Sequence, residues 1–100
     1  MFRDKLGTPI EAGDIIAYAV RSGNSGDIKV GMVLDVITGS TGLRYRDIHG
    51  EYHDTNATLK VRGYGSKRAS ELYHPDRIVY VDDRFMPEEV REELREYLNA

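Results

Sequence analysis

Apolar and polar positions alternate along most of this chain with the two-residue period of strands, and the period changes to that of a helix near the end. Ile15 to Val20 reads as a first strand, with Ile16, Tyr18 and Val20 on one parity and Ile15, Ala17 and Ala19 on the other. Both faces are apolar, so the strand is expected to be covered on both sides. Ile28 to Ile37 reads as a long second strand. Val30, Met32, Leu34 and Val36 form one face, and Lys29, Gly31 and Asp35 the other. Gly31 inside it predicts a bulge or bend, so that one strand can serve two sheets. Leu43–Ile48, Glu51–His53, Ala57–Arg62 and Arg77–Val81 read as further strands. Turns are expected at Thr8–Asp14, Thr38–Gly42 and His49-Gly50, a loop at Arg21–Asp27, and a long irregular loop from Gly63 to Pro75.

From Pro87 onward, Val90, Leu94, Tyr97 and Leu98 fall on one helical face. Pro87 suits the first helical position, and Glu88 and Glu89 suit the positive end of the helix dipole. Glu88 with Arg91, and Glu92 with Arg95, are placed to pair three residues apart. A helix of about 12 residues is marginal alone in water, so its stripe must dock on the strands or on another chain. The elements predict a mainly β protein: a small bent antiparallel barrel of five or six strands with a C-terminal α-helix. The chain reads as a single domain over 1–100, with the barrel at 8–82 and the helix at 87–98.

The 100 residues allow one compact domain. The absence of cysteine excludes a disulfide framework, a thiolate zinc site and a cysteine nucleophile, and suits a reducing compartment. Net charge is −3 and uneven. Residues 82–100 hold seven Asp/Glu against three Arg, so the acidity sits in the tail and no whole-molecule basic field exists for nucleic acid. No apolar run approaches the roughly 18 residues of a membrane span. Met1-Phe2-Arg3-Asp4-Lys5 leads into no apolar signal core. The expected location is the cytoplasm, with no membrane partner.

Gly13-Asp14-Ile15-Ile16-Ala17-Tyr18, then Arg21-Ser22-Gly23 and Gly31-Met32-Val33, resemble the opening of small bacteriophage-encoded proteins of unassigned function. Pro75-Asp76-Arg77-Ile78-Val79-Tyr80-Val81 resembles their closing strand. The likeness covers roughly residues 4–37 and 75–82. A Gly-Asp pair entering the first strand, and a Gly-hydrophobic-Val step in the second, also resemble SH3-like and KOW-type barrels. The resemblance implies an SH3-like barrel, phage origin, action in a host cell's cytoplasm, and binding of protein or nucleic acid rather than catalysis.

Candidate chemistry is sparse. His49 and His53 lie four apart near Asp47 and Asp54; on a strand that step spans about 13 Å, too far for one metal, and only a tight turn at Gly50 would bring them closer, so no metal site is expected. His74 precedes Pro75 in a loop. No spacing links a nucleophile to a base, and a barrel this small fills its interior with side chains, so no enzyme and no cofactor are expected. The loop at Arg21–Gly26 could cradle an anion with backbone N–H groups, but lacks the Gly-Lys-Ser/Thr ending of a phosphate loop. Tyr and Arg favour interfaces. The expected function is therefore a protein-interaction module, toward a host factor or a phage protein, through Tyr52, Tyr64, Tyr73, Val90, Leu94 and Tyr97. A homodimer is compatible with the same surfaces. The alternative is a nucleic-acid-binding barrel. There Arg44, Arg46, Lys60 and Arg62 would line one face, with Tyr45 and Tyr64 as stacking platforms.

Overall fold

The computed structural model describes residues 2–22 and 25–99. Strands β1 (Phe2–Arg3) and β2 (Pro9–Ile10) form a small antiparallel ribbon. They are followed by β3 (Ile15–Ser22), β4 (Ser25–Thr38), β5 (Arg44–Arg46), β6 (Tyr52–Asp54), β7 (Ala57–Gly63), β8 (Ala69–Leu72) and β9 (Ile78–Val81). A 3-10 turn at Pro75–Arg77 precedes β9, and another at Asp83–Phe85 leads to helix α1 (Glu88–Glu96), which ends in a 3-10 turn at Tyr97–Asn99. The protein is mainly β and antiparallel, with one C-terminal α-helix. The main sheet has the order β8-β7-β4-β3-β9, and β5-β6 form a separate two-stranded sheet. No sheet among the described residues closes on itself: β8 and β9 remain the edges of the main sheet. The polar, irregular reading of 63–75 is corrected. It contains β8, whose sequence Ala69-Ser70-Glu71-Leu72 has too little apolar alternation to announce a strand and is paired by its neighbour β7.

The 14 residues of β4 are shared by two halves of the sheet. Ser25 to Met32 pair with β3, and Gly31 to Thr38 pair with β7. The bulge sits at Leu34, between Val33 and Asp35, and not at Gly31. The extra residue reverses the parity of the strand. Val30, Met32 and Leu34 face one core, whereas Val36 joins Val33 in the other. The four-residue face expected from strict alternation is thus split, because a bulge inserts one residue into a period of two.

Two cores result. The first holds Ile16, Tyr18, Val33, Leu59, Val61 and Ile78, capped by Phe2 and Ile10 from the ribbon. The second lies on the opposite face, where Ile15, Met32, Leu94 and Tyr97 pack together with Val30, Leu34, Val81, Met86 and Val90 around them. Ile15 and Ile16 are consecutive and both buried, as a strand covered on both faces requires. The helix docks on its own sheet. Leu94 is 0% and Tyr97 8% exposed, which corrects the reading of both as partner-binding residues. Arg95 Nη2 lies 2.7 Å from Asp83 Oδ2 rather than pairing with Glu92 along the helix.

Candidate functional site: an apolar groove between β4 and the C-terminal helix

The six residues of the basic, aromatic stretch do not share a face. Arg44 and Arg46 stand on β5, where their guanidiniums lie 5.5 and 5.8 Å from the Tyr52 ring centroid. Tyr45 lies on the other side of the hairpin, stacked on His53 at 5.4 Å. Lys60 and Arg62 belong to β7 in the main sheet. Lys60 sits in register between Asp35 and Glu71. Arg62 is committed to the fold: its guanidinium lies 3.9 Å above the Tyr97 ring, and its Nε donates to the Ser66 carbonyl at 2.8 Å. Residues 44–54 carry two arginines against Asp47, Glu51 and Asp54, and Arg44 Nε is 3.7 Å from Asp54 Oδ1. A field of this sign does not attract a phosphate backbone.

The β5–β6 turn assembles a different set from the expected His49 and His53. Asp47 Oδ1 accepts the backbone N–H of His49 (2.8 Å) and of Glu51 (2.9 Å), and His53 Nε2 lies 2.7 Å from Asp47 Oδ2. Donor atoms of Asp47, Glu51 and His53 fall within 4.8 Å of one another, so these three are the residues that could hold a cation. His49 contributes only its backbone. The turn expected at His49-Gly50 reverses the chain between Asp47 and His53 and brings these two side chains together. The hydrogen bond from His53, then that from the Glu51 N–H, holds the Asp47 carboxyl below the usual carboxylate range. A carboxyl lowered by folding favours the folded state above its unfolded-state pKa, and this contribution is lost as pH falls through the folded-state value. Carboxyl NMR titration is expected to find Asp47 below an ordinary aspartate, and His53→Gln to move it upward; an unmoved midpoint would refute the pairing.

Two clefts touch histidines. One of about 250 Å³ is lined by His53 and Asp47 with Arg3, Lys5, Tyr45 and Asp76 among others, and a smaller one of about 90 Å³ includes His74. Tyr45 is the hydroxyl-bearing side chain that lines the larger cleft with the His53–Asp47 pair, among the described residues.

A larger groove, about 420 Å³, lies elsewhere, between the start of β4 and the helix. Its walls are Asp27, Ile28, Lys29, Val30, Tyr64, Met86 and Val90. Cover by the helix falls away along the helix-side row of β4, from Met32 through Val30 to Ile28. Successive cross-strand pairs emerge from it. Ile15 and Met32 are buried, Ala17 and Val30 are half-buried, and Ala19 and Ile28 are exposed, Ile28 to 74%. Tyr64, 49% exposed, is held beside this row by its N–H donating to the Val30 carbonyl at 2.8 Å.

Of the residues expected to bind protein, Tyr64 and Val90 meet in this groove. Tyr52 is exposed on the β5–β6 hairpin, and Tyr73 donates to Glu71 Oε2 at 3.0 Å near the end of β8. Leu94 and Tyr97 lie beneath the helix. Ile28, Val30 and Met86 were missed because alternation assigns such residues to a core. Of the loop proposed to cradle an anion, Gly23 and Asn24 lie outside the described residues; the backbones of Arg21 and Ser22 pair with Gly26 and Ser25. No helix is long and apolar enough to cross a membrane among the described residues. No family model matches this chain, and no curated protein or solved structure matches it either.

Proposed function

We propose that this chain is a small SH3-like β scaffold of bacteriophage type that acts as a non-enzymatic protein-interaction module toward a host or phage protein. The order β8-β7-β4-β3-β9, one long strand shared by two sheet halves, and a 3-10 turn ahead of the last strand support the scaffold reading. One observation carries the function: the second core continues outward beside its helix as the Ile28–Val30–Tyr64–Val90 groove. An apolar strip is left open to solvent there, as binding surfaces are. The nucleic-acid reading lacks a comparable observation, since Arg62 is under Tyr97 and the remaining cations are divided between two sheets.

Selection of peptide ligands from a random display library tests this reading. Bound peptides are expected to shift the amide resonances of Ile28, Val30, Tyr64 and Val90. Ile28→Ser removes an exposed side chain and should leave folding intact, yet weaken binding about tenfold, as losing one buried aliphatic contact implies. Tyr52→Ser on the hairpin should leave the affinity unchanged. Ligands that shift the hairpin and leave the groove resonances in place would overturn the assignment.

A further inference from the structure

The two flanks of α1 differ in charge, one acidic and one balanced, and only the acidic one borders the groove. The Tyr97 hydroxyl donates to Glu93 Oε2 (3.0 Å) and accepts the Gly65 N–H (3.1 Å). The Glu93 side of the helix therefore faces the turn that carries Tyr64, which is the groove side. At 100° per residue, Glu89 and Glu96 fall on this same flank, one turn before and one turn after Glu93. Arg91 and Arg95 fall on the far flank, where Glu88 and Glu92 offset them and Arg95 is tied to Asp83. Across the groove, Asp27 and Lys29 of β4 offset one another. The apolar floor thus has a one-sided acidic rim.

We propose that the occupant of the groove is a basic amphipathic segment of a partner protein. Its apolar side chains seat on Ile28, Val30, Tyr64 and Val90, and its lysines or arginines lie along Glu89, Glu93 and Glu96. The proposal rests on the protein-interaction reading and adds the chemistry of the partner. Apolar contacts supply affinity, and the acidic rim selects against acidic segments and steers basic ones toward the groove.

The test uses two synthetic 12-residue peptides with leucines at the same positions, one carrying lysines and the other glutamates between them. Titration calorimetry and amide NMR of the full chain are run with each. The Leu/Lys peptide is expected to bind at least tenfold tighter at low salt and to shift Ile28, Tyr64 and Val90. Its advantage should shrink as salt screens the rim. Glu89→Gln with Glu96→Gln, both at exposed positions, should reduce the advantage while leaving the shifted residues the same. Ile28→Ser should weaken both peptides. Equal affinities, or tighter binding of the Leu/Glu peptide, with the groove resonances moving, would overturn the basic partner and leave the interaction groove standing. Absence of binding by both peptides, or shifts confined to another surface, would overturn both readings.

Discussion

Gly31→Ala is expected to lower the stability of the domain by about 3 kcal/mol, read as a fall in the urea midpoint at constant slope. Gly31 and Gly63 face each other across β4 and β7, beside the ring of Tyr18. A Cβ on Gly31 would lie 2.8 Å from Val61 Cγ1, 2.9 Å from the Arg62 carbonyl oxygen and 3.1 Å from Tyr18 Cε1. The second of these is backbone of the partner strand, so the two strands would have to separate. Gly63 meets a different obstacle. A Cβ there would lie 2.6 Å from the Tyr18 hydroxyl oxygen and 3.8 Å from the next ring atom. Gly63→Ala is therefore expected to cost about 1.5 kcal/mol and to be largely relieved in a Tyr18→Phe background, whereas Gly31→Ala is not. If Gly31→Ala proved as stable as the parent, the close approach of the strands at this point would be refuted. Gly31 adjoins Val30 in the groove floor, so a displaced β4 should also weaken ligand binding there.

Asp4→Ala is expected to cost about 3 kcal/mol for a different reason. Asp4 is only 5% exposed, and its carboxylate takes three backbone N–H groups. Oδ1 accepts from Leu6 (2.9 Å) and Thr8 (2.8 Å), and Oδ2 accepts from Tyr80 (2.8 Å). The Lys5 N–H donates to the Ile78 carbonyl at 2.9 Å beside it. A side chain near the start of the chain thus fastens the β1–β2 ribbon to the edge strand β9 and keeps Phe2 and Ile10 over the first core. Hydrogen bonds to a charged acceptor contribute more than neutral ones, and removing the acceptor leaves the Tyr80 N–H without its partner. Part of the loss at Leu6 and Thr8 is recovered by water. Asp4→Asn keeps one accepting oxygen and should cost less. Hydrogen exchange provides the check: the Leu6, Thr8 and Tyr80 amides should lose protection together in Asp4→Ala. Protection retained at Tyr80 would show that the carboxylate does not hold this edge.

Much of the β architecture was readable from local pattern. The strands expected at Ile15–Val20, Ile28–Ile37, Ala57–Arg62 and Arg77–Val81 carry alternating or continuous apolar residues and were found, as was the helix after Pro87, but pairing extends β3 to Ser22 and starts β4 at Ser25, inside the stretch 21–27 expected as a loop. The β1–β2 ribbon and β8 were not visible, because two to four residues with little apolar content become strands only when a neighbour supplies the hydrogen bonds. The parity reversal at Leu34 was also hidden, since a bulge is set by the pairing of two strands and leaves no mark on one. The candidate site was half legible. Tyr64 and Val90 stood out by residue type and helical spacing, but Ile28 and Val30 resembled any other core row.

Local composition and periodicity determined the residue classes of this protein: which segments extend, where the helix begins, and that its stripe must be covered. Tertiary structure decided which of these apolar residues were covered. Leu94 and Tyr97 went under the sheet-bound helix and Ile28 stayed outside, because the helix docks over the Ile15–Met32 pair and not over the Ala19–Ile28 pair. It also divided the arginines, placing Arg62 against Tyr97 while Arg44 and Arg46 bracket Tyr52 on a separate hairpin. Charge and hydrophobicity belong to single residues, whereas exposure and shared faces depend on how distant segments pair and how far each one reaches.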